Sequence, residues 1–111
     1  MNDTSLEYKQ SLLIDSLKNL SKSYEEQINL FPDYVDVFDE ILSDFGNAFL
    51  LLPSLMEARI VSYEAVINIL KCNNLIDLNL SNETKLTDES FENDNSWNLV
   101  RELALNALNT W

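Results

Sequence analysis

Apolar residues recur at every third or fourth position along most of this chain, and that spacing constrains the fold more than any other feature. The clearest run comprises Tyr34, Phe38, Ile41, Leu42, Phe45, Phe49 and Leu52. Residues three and four apart share one face of an α-helix, whereas a half-buried strand needs strict alternation. We therefore predict an all-α protein.

Capping residues and prolines divide the apolar pattern into four predicted helices, near residues 5–29, 33–52, 55–72 and 97–109. Three residue pairs have the spacing of a capping box, namely Thr4 with Glu7, Ser23 with Glu26 and Ser54 with Glu57. Pro32 suits a first helical position, and Pro53 is expected to stop the second helix. We expect a kink near Ser21 and a helix that continues past Gly46.

Two segments do not continue the helical pattern. Residues 75–80 alternate weakly between apolar and polar, and we expect an extended segment docked on the helices. Residues 81–95 are polar and acidic, which predicts a loop anchored by Leu86 and Phe91, with one helical turn after Thr87. The prediction is a compact bundle of four to five amphipathic helices with one long acidic loop, forming a single domain over residues 1–111.

The chain lacks most residues on which common enzyme chemistry depends. It contains no histidine, one cysteine and one glycine. Histidine is the commonest general base and metal ligand, and phosphate loops need several glycines. Cys72 is expected to be a small buried residue, and an unpaired cysteine suits a reducing compartment. We predict a protein that is not an enzyme and that holds no metal or cofactor.

Charge and hydropathy limit the kinds of partner. The chain has 19 acidic and 7 basic residues and a net charge of −12. Nucleic-acid binding requires basic clusters, so we predict no direct binding of this kind. The N-terminus has no signal-peptide pattern, and the longest apolar stretch, residues 48–56, is too short to span a bilayer. We expect a cytoplasmic protein without membrane association.

The acidic residues form two clusters along the chain. Between Ser23 and Ala58 there are eight acidic residues and no Lys or Arg. At about 100° per residue, part of this set forms one ridge opposite the aromatic core face; the ridge consists of Asp33, Asp36, Glu40 and Asp44. The second cluster lies in the predicted loop and consists of Glu83, Asp88, Glu89, Glu92 and Asp94.

A solvated helix face is one interpretation of the ridge. No Lys or Arg follows four residues later to compensate it, however, and like charges on one helix face repel each other. A surface of one sign is what steering toward a basic partner requires. We therefore predict that the nine acids of both clusters contact a basic protein.

The aromatic residues are expected to be structural. Tyr34, Phe38, Phe45 and Phe49 have the helical spacing of core residues. The two tryptophans, Trp97 and Trp111, are expected to seal one end of the bundle. Trp111 is also compatible with docking on a partner or on a second copy, so the sequence allows a homodimer.

With these properties the chain resembles the small immunity proteins that bacteria encode beside polymorphic toxins, including toxins of contact-dependent growth inhibition systems. The resemblance rests on the acidic single domain, the helical pattern, the missing catalytic set and the acidic ridge. It implies an inhibitor of a basic toxin, most often a nuclease, that covers the active site or an adjacent basic surface. Two alternatives are an acidic adaptor or regulatory subunit for another soluble protein, and a DNA-mimic inhibitor of a nucleic-acid enzyme.

Overall fold

Seven α-helices account for most of the chain in the computed structural model, which describes residues 3–111 and side chains from residue 5 onward. They are α1 (Asp3–Ser21), α2 (Tyr24–Ile28), α3 (Val37–Phe49), α4 (Leu52–Glu57), α5 (Tyr63–Leu80), α6 (Asp88–Asn93) and α7 (Asn95–Thr110). A 3-10 turn, Glu83–Lys85, precedes α6. Residues 3–111 contain no strand, so the all-α prediction is confirmed. The helices are more numerous than the four to five predicted.

The three long helices form the frame, with α7 packed between α5 and α1. Helices α5 and α7 are antiparallel, because the start of α5 meets the end of α7: the Ser62 hydroxyl donates to the Thr110 carbonyl. Further along, the Cys72 thiol donates to the Val100 carbonyl at 3.6 Å. Ala65, Ala104 and Ala107 are fully buried on these two helices. Small side chains there permit a close approach of the two backbones.

The first predicted helix is two helices, because the chain leaves the helical conformation at Lys22 and Ser23. The predicted capping box at this break is confirmed: Glu26 N donates to Ser23 Oγ, and Ser23 N donates to Glu26 Oε1, both at 3.2 Å. A cap begins a new helix, so the expected kink is a full break. The capping box expected at Thr4 involves a side chain outside the described residues.

Helix α3 begins four residues later than predicted, at Val37. A turn precedes it, in which Val35 N donates to the Pro32 carbonyl at 3.0 Å. The helix continues past Gly46, as predicted, and ends at Phe49. Pro53 does not stop a helix but lies in the first turn of α4, where its missing N–H costs little. The prediction of a capping box at Ser54 and Glu57 is therefore wrong, because Ser54 lies inside α4.

A left-handed residue separates α4 from α5 and divides the third predicted helix. Arg59 has a φ of 58°. Its N–H donates to the Met56 carbonyl at 3.0 Å, and Ile60 N donates to the Leu55 carbonyl at 3.2 Å. These two bonds define a Schellman motif, which usually has glycine in the position of Arg59. Ser62 then caps α5 by accepting from Ala65 N at 3.0 Å.

The expected extended segment at residues 75–80 is wrong, because α5 continues to Leu80. Ile69, Cys72, Ile76 and Asn79 are buried at helical spacing along α5. Four buried positions at this period outweigh a short stretch of alternation. Residues 81–95 are not an irregular loop either, since they contain the 3-10 turn and α6. The helical turn predicted after Thr87 is confirmed, with Thr87 Oγ1 accepting from Ser90 N at 3.1 Å.

An aromatic cluster joins α2, α3, α6 and α7. Phe91 is buried at its centre, stacked on Phe38 with 4.7 Å between ring centroids. Tyr24 and Trp97 meet Phe91 edge-on at 5.9 and 5.5 Å. Phe91 is thus the predicted anchor of its segment, whereas Leu86 is 43% exposed and does not belong to the core cluster. Trp97 lies inside this cluster and donates from Nε1 to the Lys85 carbonyl at 2.9 Å.

One contiguous apolar cluster links the long helices with α3, α4 and α6, and Trp111 packs against it, partly buried. No helix between residues 3 and 111 combines the length and the hydropathy that crossing a bilayer requires.

Candidate functional site

An open groove at one end of the molecule brings residues of the two acidic clusters together. It has a volume of about 470 Å³ and lies between the end of α2, the α2–α3 segment and the start of α6. We call it the acidic groove; it is lined by Tyr24, Ile28, Asn29, Pro32, Asp33, Tyr34, Val35, Asp36, Val37 and Asp88. Three of the nine predicted acids, Asp33, Asp36 and Asp88, therefore share one concave surface.

The turn at Pro32–Val35 forms one wall of the acidic groove. Its hydrogen bond joins the first and fourth residues, so Asp33 and Tyr34 occupy the two central, outward positions. Tyr34 is 89% exposed. The expectation that Tyr34 belongs to the core is wrong, because the turn removes it from the helix whose pattern it appeared to share. Phe45, by contrast, is buried as predicted, and Phe38 and Phe49 pack against the core.

The other two carboxylates of the acidic groove lie at the starts of helices. Asp36 is the N-cap of α3, and its Oδ1 accepts from Asp39 N at 3.2 Å. Asp88 is the first residue of α6, directly after the cap at Thr87. Because Phe91 holds α6 in the aromatic cluster, Asp88 is brought beside the α2–α3 segment despite the long stretch of sequence between them. Carboxylates at helix starts are also stabilised by the helix dipole.

Tyr24 lies at the junction between the aromatic cluster and the acidic groove. Burial raises the pKa of its hydroxyl, and the charges of Asp88 and Glu92 raise it further, while Arg101 acts in the opposite direction. The negative charge of Glu92 thus influences Tyr24, a residue of the groove wall, although Glu92 itself does not line the groove. The negative charges that act on Tyr24 come from the second acidic cluster, and Asp33 and Asp36 of the first cluster line the same groove.

A buried polar pair supports this wall from inside. Arg101 and Gln27 are 7% and 0% exposed, and Arg101 Nη2 donates to Gln27 Oε1 at 2.9 Å. The Arg101 guanidinium also lies 4.5 Å from the centroid of the Phe91 ring, a cation–π distance. Burial lowers the pKa of Arg101. Sequence patterns gave no signal for this pair, since both residues are of types that usually lie at the surface.

The remaining ridge acids lie elsewhere. Glu40 is half-buried on α3, and Asp44 is exposed and lines a different groove, between α3 and α1. Asp33 precedes the helix and does not belong to its face. Asp36, Glu40 and Asp44 still follow one another at four-residue intervals, from the N-cap of α3 to the part of α3 that borders α1 at Asp44.

Asp94 and its neighbours occupy the far side of α6. Asp94 is the N-cap of α7 and accepts from Ser96 N at 2.8 Å and from Ser96 Oγ at 2.6 Å. It also pairs with Lys85 at 2.9 Å, the one salt bridge among the side chains of residues 5–111. The Ser96 hydrogen bonds, followed by Lys85, lower the Asp94 pKa to about 2. This carboxylate therefore serves the fold, whereas Glu83 and Glu89 are exposed.

Other chemistry has little support in the described part of the chain. Among residues 3–111 no group of three or more His, Cys, Asp or Glu side chains is placed to hold a metal ion. Cys72 is fully buried, as predicted, and burial raises its pKa to about 12. A thiol in this environment is a poor nucleophile.

Comparisons of the chain with protein-family models, with curated proteins and with solved structures found no match.

Proposed function

We propose that this protein is an immunity-type inhibitor that binds and neutralises a basic toxin, specifically a nuclease, in the cytoplasm. The observation that carries the proposal is the acidic groove, in which Asp33 and Asp36 meet Asp88 around the exposed ring of Tyr34. A face kept only for solubility does not require distant carboxylates to converge on one concave surface. Convergence is what recognition of a basic side chain requires.

The groove chemistry matches the basic surface of a nuclease. Carboxylates accept paired hydrogen bonds from arginine, and an aromatic ring offers a face on which a guanidinium stacks. Tyrosine is enriched at protein interfaces and among the residues that dominate binding energy. A net charge of −12 attracts a basic partner before contact and accelerates association. In this proposal Glu40, Glu83, Glu89 and Glu92 contribute mainly to that long-range attraction.

The alternatives receive less support from the arrangement of charge. A DNA mimic needs carboxylates at phosphate-like intervals over an extended surface, but here three acids share one groove and Asp44 lies in another. An adaptor would bind without inhibiting, so an assay of neutralisation separates that alternative from the proposal.

The test compares two triple variants with the same change in net charge. The first, Asp33→Asn, Asp36→Asn and Asp88→Asn, removes the groove charges; asparagine at position 36 retains the cap. The control, Glu57→Gln, Glu64→Gln and Asp77→Asn, removes three exposed charges outside the groove lining. Both are co-expressed with candidate toxin domains encoded by neighbouring genes, and association rates with a domain that the wild type binds are measured at about 50 and 500 mM salt, over which the Debye length falls from about 14 to 4 Å.

We expect the groove variant to associate more slowly, to lose salt sensitivity and to protect cells less well than the control. Equal protection by the two triple variants would contradict a role for the groove. Binding without any protection in the wild type would favour the adaptor.

A further inference from the structure

A second groove lies between α1 and α3, separate from the acidic groove. It has a volume of about 420 Å³ and is lined by Leu12, Asp15, Ser16 and Asn19 of α1 and by Asp44, Asn47, Ala48 and Leu51 of the α3 side. We call it the α1–α3 groove. Both sets recur at three- and four-residue intervals, so the α1 residues share one helix face, as do Asp44, Asn47 and Ala48 of α3, and Leu51 follows directly after the C-cap of α3.

The lining combines an apolar strip with a carboxylate from each helix. Leu12, Ala48 and Leu51 are the apolar residues of the lining, and Leu12 is 39% exposed. Asp15 on α1 and Asp44 on α3 are both exposed and border this strip. Lys22 donates from Nζ to the Asn19 side-chain oxygen at 3.2 Å, which places a cation near one end of the groove.

We infer that the α1–α3 groove binds a segment of the basic partner in which an aliphatic side chain is flanked by Lys or Arg. The aliphatic side chain packs on Leu12 and Leu51, and the flanking cations pair with Asp15 and Asp44. The inference rests on the proposed function, since it adds a second contact for the same partner. Charge decides the occupant: a second copy of this chain, with a net charge of −12, would be repelled.

The flank of α3 connects the two grooves. Asp36 lines the acidic groove and Asp44 lines the α1–α3 groove, with Glu40 between them. At 1.5 Å per residue, Asp36 and Asp44 are about 12 Å apart along the helix. A standard interface covers about 800 Å² on each partner, which is ample for both grooves. One basic surface lying along α3 would therefore engage both.

Short blocked peptides test this inference without the natural partner. The probe is Lys-Leu-Leu-Lys, and the controls are Glu-Leu-Leu-Glu and Lys-Ser-Ser-Lys, which remove the basic and the aliphatic component respectively. Each is titrated into the isotope-labelled full chain, and backbone amide shifts are followed by NMR. The variant Asp15→Asn with Asp44→Asn is compared with Glu57→Gln with Glu64→Gln, which makes the same charge change at exposed sites outside this groove.

We expect Lys-Leu-Leu-Lys to shift the amides of residues 12–19 and 44–51, and the Asp15/Asp44 variant to weaken this binding several-fold relative to its control. Absence of shifts in these residues, or equal shifts with either control peptide, would overturn the inference. Shifts confined to residues 32–36 and 88 would also overturn it while leaving the proposed function intact. Peptide binding here, together with full protection by the acidic-groove variant, would instead contradict the proposed function.

Discussion

Arg101 donates from Nε and Nη2 to a single oxygen of Gln27, at 3.3 and 2.9 Å. The Gln27 amide nitrogen in turn donates to the carbonyls of Asn19 and Leu20, at the end of α1. Arg101 Nη1 also donates to Asn98 Oδ1 at 3.0 Å, so the side-chain acceptors of this buried cation are neutral amides in a chain with 19 acidic residues. The pair closes the corner between α1 and α2 and thereby fixes the α2 wall of the acidic groove.

Replacing Gln27 with leucine is expected to destabilise the protein. The substitution removes the acceptor of two Arg101 hydrogen bonds and leaves the one to Asn98 Oδ1, and loss of a hydrogen-bond partner by a buried group costs about 1–3 kcal/mol. The free energy of unfolding, measured with urea, should fall by at least that amount. The double variant Gln27→Leu with Arg101→Met should recover part of the loss, because no unpaired cation remains. A double variant no more stable than Gln27→Leu would contradict this explanation.

Phe91→Ala should be among the most destabilising single substitutions. Phe91 is 1% exposed and contacts Phe38, Tyr24 and Trp97, and truncating such a phenylalanine costs about 3–5 kcal/mol. Leu86→Ala is the matched control in the same segment, and its 43% exposure predicts a small change. If chemical denaturation showed a similar decrease in the free energy of unfolding for Phe91→Ala and for Leu86→Ala, the aromatic cluster would not be what holds α6.

Substitutions at Asp36 separate its charge from its role as a cap. Asp36→Ala removes the acceptor for Asp39 N and should lower the free energy of unfolding by about 1 kcal/mol. Asp36→Asn keeps an acceptor and relieves repulsion along α3, so its stability should be close to that of the wild type. Thermal denaturation of the two variants checks the difference. A strongly destabilised Asp36→Asn would show that the carboxylate has a charged partner.

The pKa of Asp94 predicts a pH dependence of stability. Its value of about 2 lies below the ordinary 3.8, so the unfolded state takes up a proton before the folded state does. The stabilisation is therefore fully present above about pH 3.8 and is lost as the pH falls toward 2. Asp94→Asn should lack this part of the acid sensitivity, so the stability difference from the wild type should shrink over that range. Urea unfolding at a series of pH values measures this difference in the free energy of unfolding, with Glu57→Gln as the control for an exposed charge.

Cys72 should react with thiol reagents only when the protein unfolds. The side chain is fully buried and its pKa is raised to about 12, so both access and the thiolate fraction are low in the folded state. The rate at which an aromatic disulfide modifies Cys72 at pH 8 should therefore follow the rate or extent of unfolding around this residue. The rate should rise with the urea concentration. Rapid modification of the native protein would mean that the α5–α7 contact opens readily.

The helical class was predictable because apolar spacing reflects burial directly. Predictions from the same spacing were wrong where a turn or an unusual backbone conformation interrupts a helix. Tyr34 fitted the apolar pattern of α3, but the hydrogen bond between Val35 and Pro32 makes the segment a turn. The Pro-Asp sequence at residues 32–33 is a turn signal that could have indicated this. At Arg59 no such signal exists, because non-glycine residues seldom adopt its left-handed conformation.

The candidate site was predictable only in part. Sequence spacing placed the acids in two clusters, but tertiary packing decides which of them meet. Asp88 reaches the acidic groove because Phe91 anchors α6, and Asp94 is held by Ser96 and Lys85. Whereas the cap that Asp94 forms with Ser96 is local, the contact that brings Asp88 to the α2–α3 segment joins positions far apart in sequence and leaves no local periodic signature. The pairing of Gln27 with Arg101 was missed for the same reason.

The Pro32–Val35 turn has an evolutionary consequence. Asp33 and Tyr34 project from its tip, while the framework beneath is held by residues of other helices. Exchanging the side chains at these two positions changes the chemistry of the groove wall and leaves the hydrophobic interior untouched. Under the proposed function, selection on specificity would therefore act at this tip with little effect on folding, and one scaffold would accommodate a series of different toxins.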